Sequence, residues 1–402
     1  MNWNDTGPGM GFGWLFGPPI LVLVVLAIAA LIKYLRKQES PMTHSINRTI
    51  PKDAIRRYQI LTIALAALLS GTGYAPQAMA DTTLGRGAVF SADEGDGSLS
   101  RIDLATGSVE AIALPLMPHN VDVSTAAGLV FAVGMGGMEA GEMPGMEMGG
   151  HGEGRLAVLK LDDLKAGPIA VVEAGHHPAH VVPDADASRV FVTDSESDAV
   201  LVIDLASGKT VKEITTGAYP HGQRISPDGS ELYVANVEDD SVSVIDTKSL
   251  SEVARIPVGD APVQVGFPPD GTRAYVSLRD EDKVAVIDRA TRSVVATVSV
   301  GRDPIQLFVT PDGKFVYVAD QGDDGNPDNR VSVIDVASNQ VTATITVGMG
   351  AHGVTIGSDG RLVFVTNTKD STVSVIDVAS QTVIETIPVG KEPGGIAFAD
   401  GN

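Results

Sequence analysis

From about residue 85 to its end, the chain repeats one phrase of apolar and polar positions. A short apolar run leads to Asp-Gly, then to an aromatic-bearing apolar run ending near Asn or Asp, then to an acidic stretch and Val-Ile-Asp. The phrase reads Pro227-Asp228-Gly229, Tyr233-Val234-Ala235-Asn236 and Val244-Ile245-Asp246, and returns as Pro269-Asp270-Gly271, Tyr275-Val276 and Val286-Ile287-Asp288, with further openings at Pro311, Ser358 and Ala399. Valine, isoleucine, tyrosine and threonine on alternating positions fit a pleated, packed surface, and Asp-Gly fits a tight turn between strands. In the third repeat this predicts strand A at Arg224 to Ser226, B at Glu231 to Asn236, C at Ser241 to Asp246 and D at Val253 to Val258.

The residue after the Pro or Ala that opens each unit marks the period: His119, His180, His221, Val263, Ile305, His352 and Gly394, at intervals of 61, 41, 42, 42, 47 and 42. Units of about 40 to 45 residues with four strands each are propeller blades. Seven marks predict an all-β, seven-bladed β-propeller with four-stranded blades over residues 81–402. Its ends complete one another: Gly395 to Ala399 is an A strand with nothing after it, and Gly87 to Leu114 supplies B, C and D with no A before them. One blade shared by both ends closes the ring and removes open sheet edges.

These repeats resemble those of the YVTN family of bacterial β-propellers, related to cytochrome d1-like and nitrous oxide reductase-like propellers; Tyr233 to Asn236 and Phe364-Val365-Thr366-Asn367 carry the likeness. The resemblance implies the fold over residues 85–402. It leaves activity open, because propellers host many functions.

The front of the chain has a different pattern. Ile20 to Ile32 is continuously apolar and, with Trp14 to Pro19, is long enough to cross a membrane. Residues 42–80 read as a signal peptide: Arg48, Lys52, Arg56 and Arg57, then the apolar run Ile60 to Leu69, then Ala78-Met79-Ala80. Residues 1–41 are a membrane segment or an over-extended start before Met42. Cleavage near Ala80 places the propeller in the periplasm or outside the cell, and retention of the front segments anchors it in the inner membrane.

The chain has no cysteine, which excludes disulfides, Cys-x-x-Cys-His haem attachment and thiolate copper centres. A formal charge of −21 excludes nucleic acid as a partner and favours cations or a basic periplasmic protein; the membrane enters only through the front segments.

Chemistry concentrates on one predicted face. Strand direction puts the D-to-A connections and the B-to-C loops together there, and four of the seven marks, His119, His180, His221 and His352, are histidines that should gather at the channel mouth. Converging neutral imidazoles suit copper, zinc or iron. A nitrous oxide reductase-like propeller uses a comparable histidine crown for copper. The interval of 61 betrays an insertion, residues 134–154, carrying Met135, Met138, Met143, Met146, Met148 and His151 among glycines, and His176 and His177 lie in the next D-to-A loop. Thioethers select soft ions such as Cu(I). The other B-to-C loops are acidic, including Asp323 to Asp328, where carboxylates could also suit calcium.

Copper is therefore the expected cofactor, captured by the Met-rich loop and held by the histidines for resistance, delivery or storage. The alternatives are a non-catalytic docking scaffold using the same face, and a propeller hydrolase, lyase or metal oxidoreductase. No nucleophile motif supports the last, and Arg224 is the only basic residue on the predicted inner strands.

Overall fold

Seven four-stranded antiparallel sheets follow one another around a ring in the computed structural model, which describes residues 84–137 and 153–401. The innermost strands, A, are Leu116–Ser124, Pro178–Pro183, Pro220–Ile225, Pro262–Gly266, Pro304–Val309, Ala351–Ile356 and Pro393–Ala399, and they define blades 1 to 7. Blade 7 is the shared one: Pro393–Ala399 pairs with Ala88–Asp93, the first strand of the described chain, in the register Ala88 to Ala399 and Ser91 to Ile396.

Each strand's place in its blade explains its sequence. Strand B of blade 3, Glu231–Asn236, is buried from Leu232 onward because neighbouring blades cover both its faces. The outer strand D, Ser251–Pro257, exposes Ser251, Val253 and Arg255 and buries Ile256, the alternation of a half-solvated edge. Seven aromatic residues, Phe90, Phe131, Phe191, Tyr233, Tyr275, Tyr317 and Phe364, sit one per blade on strand B and are fully buried. They are the aromatics of the repeated phrase, and burying each contributes about 1.5 to 3 kcal/mol. The core is a ring of apolar clusters between adjacent blades: Phe90 and Leu99 of blade 7 pack with Val121 and Val130 of blade 1, and Tyr233 and Val244 of blade 3 with Val265 and Val276 of blade 4.

The boundaries of B and C in blade 3 agree with the sequence reading, whereas A begins four residues earlier than Arg224 and D two residues earlier than Val253. A β-bulge between Pro220 and Gln223 keeps the backbone extended through the start of A. The insertion is shorter than 134–154: strand B of blade 1 runs Leu129–Gly136 and strand C begins at Gly154, so Met135 belongs to a strand. Gly134 is required there, since a Cβ would stand 1.9 Å from the Met117 carbonyl. The membrane segment, the signal-peptide segment, Met138, Met143, Met146, Met148 and His151 lie outside the described residues. Among the described residues no helix is long and apolar enough to cross a membrane.

Candidate metal centre

Every A strand carries a bulge near its start, and the histidines sit in these bulges: His119 after Pro118, His221 after Pro220 and His352 after Ala351. A bulge frees residues from the ladder and re-aims their side chains. His180 departs from the expected equivalence. Pro178 pairs with Asp194 as Pro220 pairs with Asn236, so Ala179 matches His221 and His180 lies one residue deeper, level with Asn120 and Gln264. The marker taken as Ala179 also makes the interval to His221 42 residues, equal to the two that follow.

The slip does not remove His180 from the group. Its ring centroid lies 5.0 Å from that of His221 and 6.2 Å from that of His119, and His119 stands 5.4 Å from His221 and 6.3 Å from His352. Ring nitrogens of His119, His180 and His221 all fall within 4.8 Å of one another. The Nε2 atoms of His119 and His221 are 3.3 Å apart, and Nδ1 of His119 is 3.1 Å from Oε2 of Glu94. With Nδ1 donating to that carboxylate, Nε2 of His119 presents its lone pair to the other rings.

Burial, first, and the neighbouring imidazoles, second, hold His180 and His221 well below the ordinary histidine range. The same causes lower His352 to about 4, opposed by Glu94. Burial pushes Glu94 up, but its hydrogen bond to His119 and the imidazoles around it bring it below the usual carboxylate range. At neutral pH, then, His180, His221 and His352 are uncharged beside an ionised carboxylate. Nε2 of His180 and Nδ1 of His221 and His352 are buried without a hydrogen-bond partner. The carbonyls of Val263 and Gly394 come near enough to His221 and His352 to offset part of their shift without the geometry of a hydrogen bond.

Backbone staples fix this cluster. The Thr193 hydroxyl on strand B of blade 2 accepts from the His180 amide at 2.9 Å and donates to the His221 carbonyl of blade 3 at 2.7 Å. Ser277 links Gln264 to Ile305 in the same way, and Thr366 links Gly353 to Gly394. Gln223 adds a further tie, its Nε2 donating to the carbonyls of His180 and Phe191.

The remaining candidates divide. Gly134 pairs with Pro118, next to His119, and Met135 continues the strand and pairs with Met117, an exposed thioether that the sequence reading did not single out. His176 and His177 lie on this face but outside the convergent group: their amides donate to the Asp194 carboxylate, and His177 packs near Tyr219 at 6.3 Å. Much of the acidic rim has a structural task. Asp198, Asp240 and Asp282 accept from the amides of Tyr219, Ala261 and Asp303, each in the next D-to-A loop, and Asp96 accepts from Lys391. Three of those loop residues, Tyr219, Ala261 and Asp303, have φ between 47° and 55° just before a proline, a conformation the aspartates secure. No calcium cage forms at Asp323 to Asp328: Asp328 is held by Arg330, Asp324 by Lys369, and Asp323 closes its own turn.

Comparison with known proteins agrees with this architecture. A YNCE-like beta-propeller family model matches residues 162–315, and a cytochrome D1 heme domain model matches residues 276–396. No curated protein matches the sequence. Among solved structures, Kuenenia stuttgartiensis hydrazine synthase is 22% identical, with 71% of this chain and 90% of that one covered and a TM-score of 0.58. Candidate 6-phosphogluconolactonases from Bacteroides fragilis and Bacteroides uniformis are each 16% identical, covering 79% and 78% of this chain and 99% of theirs, with TM-scores of 0.62 and 0.63. At these identities the structures share the fold alone. With its repeats, ring of blades and family matches together, the chain is a seven-bladed propeller of the cytochrome d1-like, YVTN type.

Proposed function

We propose that this propeller binds copper at its channel mouth, serving copper resistance, delivery or storage in the periplasm or outside the cell. The carrying observation is the convergence of His119, His180 and His221, ring nitrogens within 4.8 Å, with His352 beside them. Two nitrogens about 2 Å from one ion stand at most about 4 Å apart, so side-chain adjustments of roughly an ångström complete a site. Burial keeps three of these rings in the neutral form that ligates, and Glu94 orients the fourth, as carboxylates do behind metal-bound histidines. Thioethers bring the preference for Cu(I): Met135 and Met117 flank the cluster's strand, and Met138, Met143, Met146 and Met148 follow in the sequence.

Haem, which the name of one matching family implies, does not fit these residues. The ring pairs meet edge-on or tilted at 5.0 to 6.3 Å rather than standing on either side of a planar gap, and Glu94, Glu196 and Glu238 in the B-to-C loops of this face would repel its propionates.

The test is Cu(I) titration of the full chain against a chromophoric competitor, beside a His119→Ala/His221→Ala variant and a variant with Met135, Met138, Met143, Met146 and Met148 changed to Leu. Stoichiometric binding, weakened at least a hundredfold by the histidine changes and less by the methionine changes, supports the site. Equal, weak binding in all three overturns it and leaves a docking scaffold.

A further inference from the structure

Below the histidines the inner strands enclose a cavity of about 290 Å³, bounded at its far end by Pro311 and Ser358 of the A-to-B turns. That is near the lower bound for small-molecule pockets, about 300 Å³. Two of the amide side chains lining it engage their oxygens, whereas Gln223 spends its NH2 on backbone carbonyls. Oδ1 of Asn120 accepts from the Val181 amide and Oε1 of Gln264 from the Val265 amide, so in both side chains the oxygen is engaged and the NH2 group remains available. Arg224, on the next strand around, makes no hydrogen bond or ion pair among the described residues; its guanidinium lies over the Phe308 ring at 5.1 Å. Asp122 lines the same cavity, accepts from the Val123 amide and attracts Arg224 without reaching it in an ion pair.

A largely enclosed guanidinium whose carboxylate neighbour, Asp122, stays out of ion-pairing reach is costly unless something completes it. We propose that this cavity binds a small hydroxycarboxylate, its carboxylate on Arg224 and the amide groups of Asn120 and Gln264, its hydroxyl donating to Asp122. Arginine's planar fork suits a carboxylate, and charge-assisted hydrogen bonds are strong in such an enclosure. The cavity shares His180 with the imidazole cluster, but Arg224, Asn120, Gln264 and Asp122 lie outside that cluster, so the proposal does not rest on the copper reading.

Calorimetric titration of the full chain with lactate, malate and acetate tests it, using wild type, Arg224→Leu, Gln264→Glu and His119→Ala/His221→Ala. Saturable binding of lactate or malate is expected, weakened at least tenfold by Arg224→Leu and Gln264→Glu and retained in the histidine variant. Gln264→Glu keeps the acceptor for the Val265 amide, so it still reports if Arg224→Leu fails to fold. No saturable binding of any acid to wild type, or unchanged affinity in a variant that unfolds at the wild-type temperature, overturns the proposal. Acetate binding as tightly as lactate overturns the role given to Asp122.

Discussion

Asp320→Asn should make the propeller more stable above neutral pH and flatten part of its pH dependence. Asp320 lies within strand B of blade 5, Phe315–Asp323, is fully buried, and accepts from the Gly301 amide at 3.1 Å and the Ser332 hydroxyl at 2.8 Å. Burial pushes its carboxyl up from 3.8 to about 7; the Ser332 hydroxyl opposes the rise, Asp328 adds to it and Arg330 opposes it. Between those values the native state holds a proton that the unfolded chain has released, so stability falls as pH rises through this window. Each pH unit is worth about 1.4 kcal/mol, so a window of about three units sets a ceiling near 4 kcal/mol, fully lost above pH 7. Blades 3 and 6 show that an amide fits: Asn236 and Asn367 hold the equivalent position, their Nδ2 atoms donating to Ser241 and Ser243 and to Thr372 and Ser374. Urea unfolding of metal-free wild type and variant at pH 5, 6, 7 and 8 measures the difference. The variant should gain on wild type steadily with pH and exceed it by 1 kcal/mol or more at pH 8, on the order of the ceiling above. Parallel pH profiles, or a variant weaker at pH 8, would refute the assignment of a buried proton to Asp320.

Three further outcomes follow from the same geometry. Deleting residues 393–402 removes the strand paired to Ala88–Asp93, and should replace the protease-resistant folded species by aggregated or protease-sensitive chain on size exclusion and limited proteolysis. Thr193→Val removes both bonds of its staple in a similar volume, and should cost about 1 to 3 kcal/mol in thermal or urea unfolding while weakening Cu(I) binding through His180 and His221. His180, His221 and His352 have depressed values, His352 about 4, so the unfolded chain binds more protons below pH 6.5. Their contribution to stability should therefore fall as pH drops from 6.5 toward 4, and should become less pH-dependent in a His352→Gln variant followed by urea unfolding.

The fold was legible because each repeat carries its own turn, aromatic wedge and apolar pair of strands, and these are local signals. The blade-closing pairing was legible too, since Gly395 to Ala399 lacked partners and Gly87 to Leu114 lacked an inner strand. What the sequence did not show depends on registers and on contacts between blades. The position of His180 is set by a bulge that pairs Pro178 with Asp194, which a count from Pro or Ala misses by one. Glu94 reads as one acid among many, and only the closing blade brings it to His119, 25 positions away. The aspartates of the rim read as a cation funnel, whereas several are spent on amides of the next blade's loop.

The pairing of Ala88–Asp93 with Pro393–Ala399 also sets an order of events during synthesis. The first strand of the ring cannot find its inner neighbour until the last one exists, so the contact with the longest sequence separation is also the final one. Until then the nascent chain carries an unsatisfied row of backbone donors and acceptors at its leading edge. Such non-local closure slows folding irrespective of final stability. A ring built this way stays incomplete throughout elongation, and in a cell it depends on whatever shields that leading edge until residue 399 has emerged.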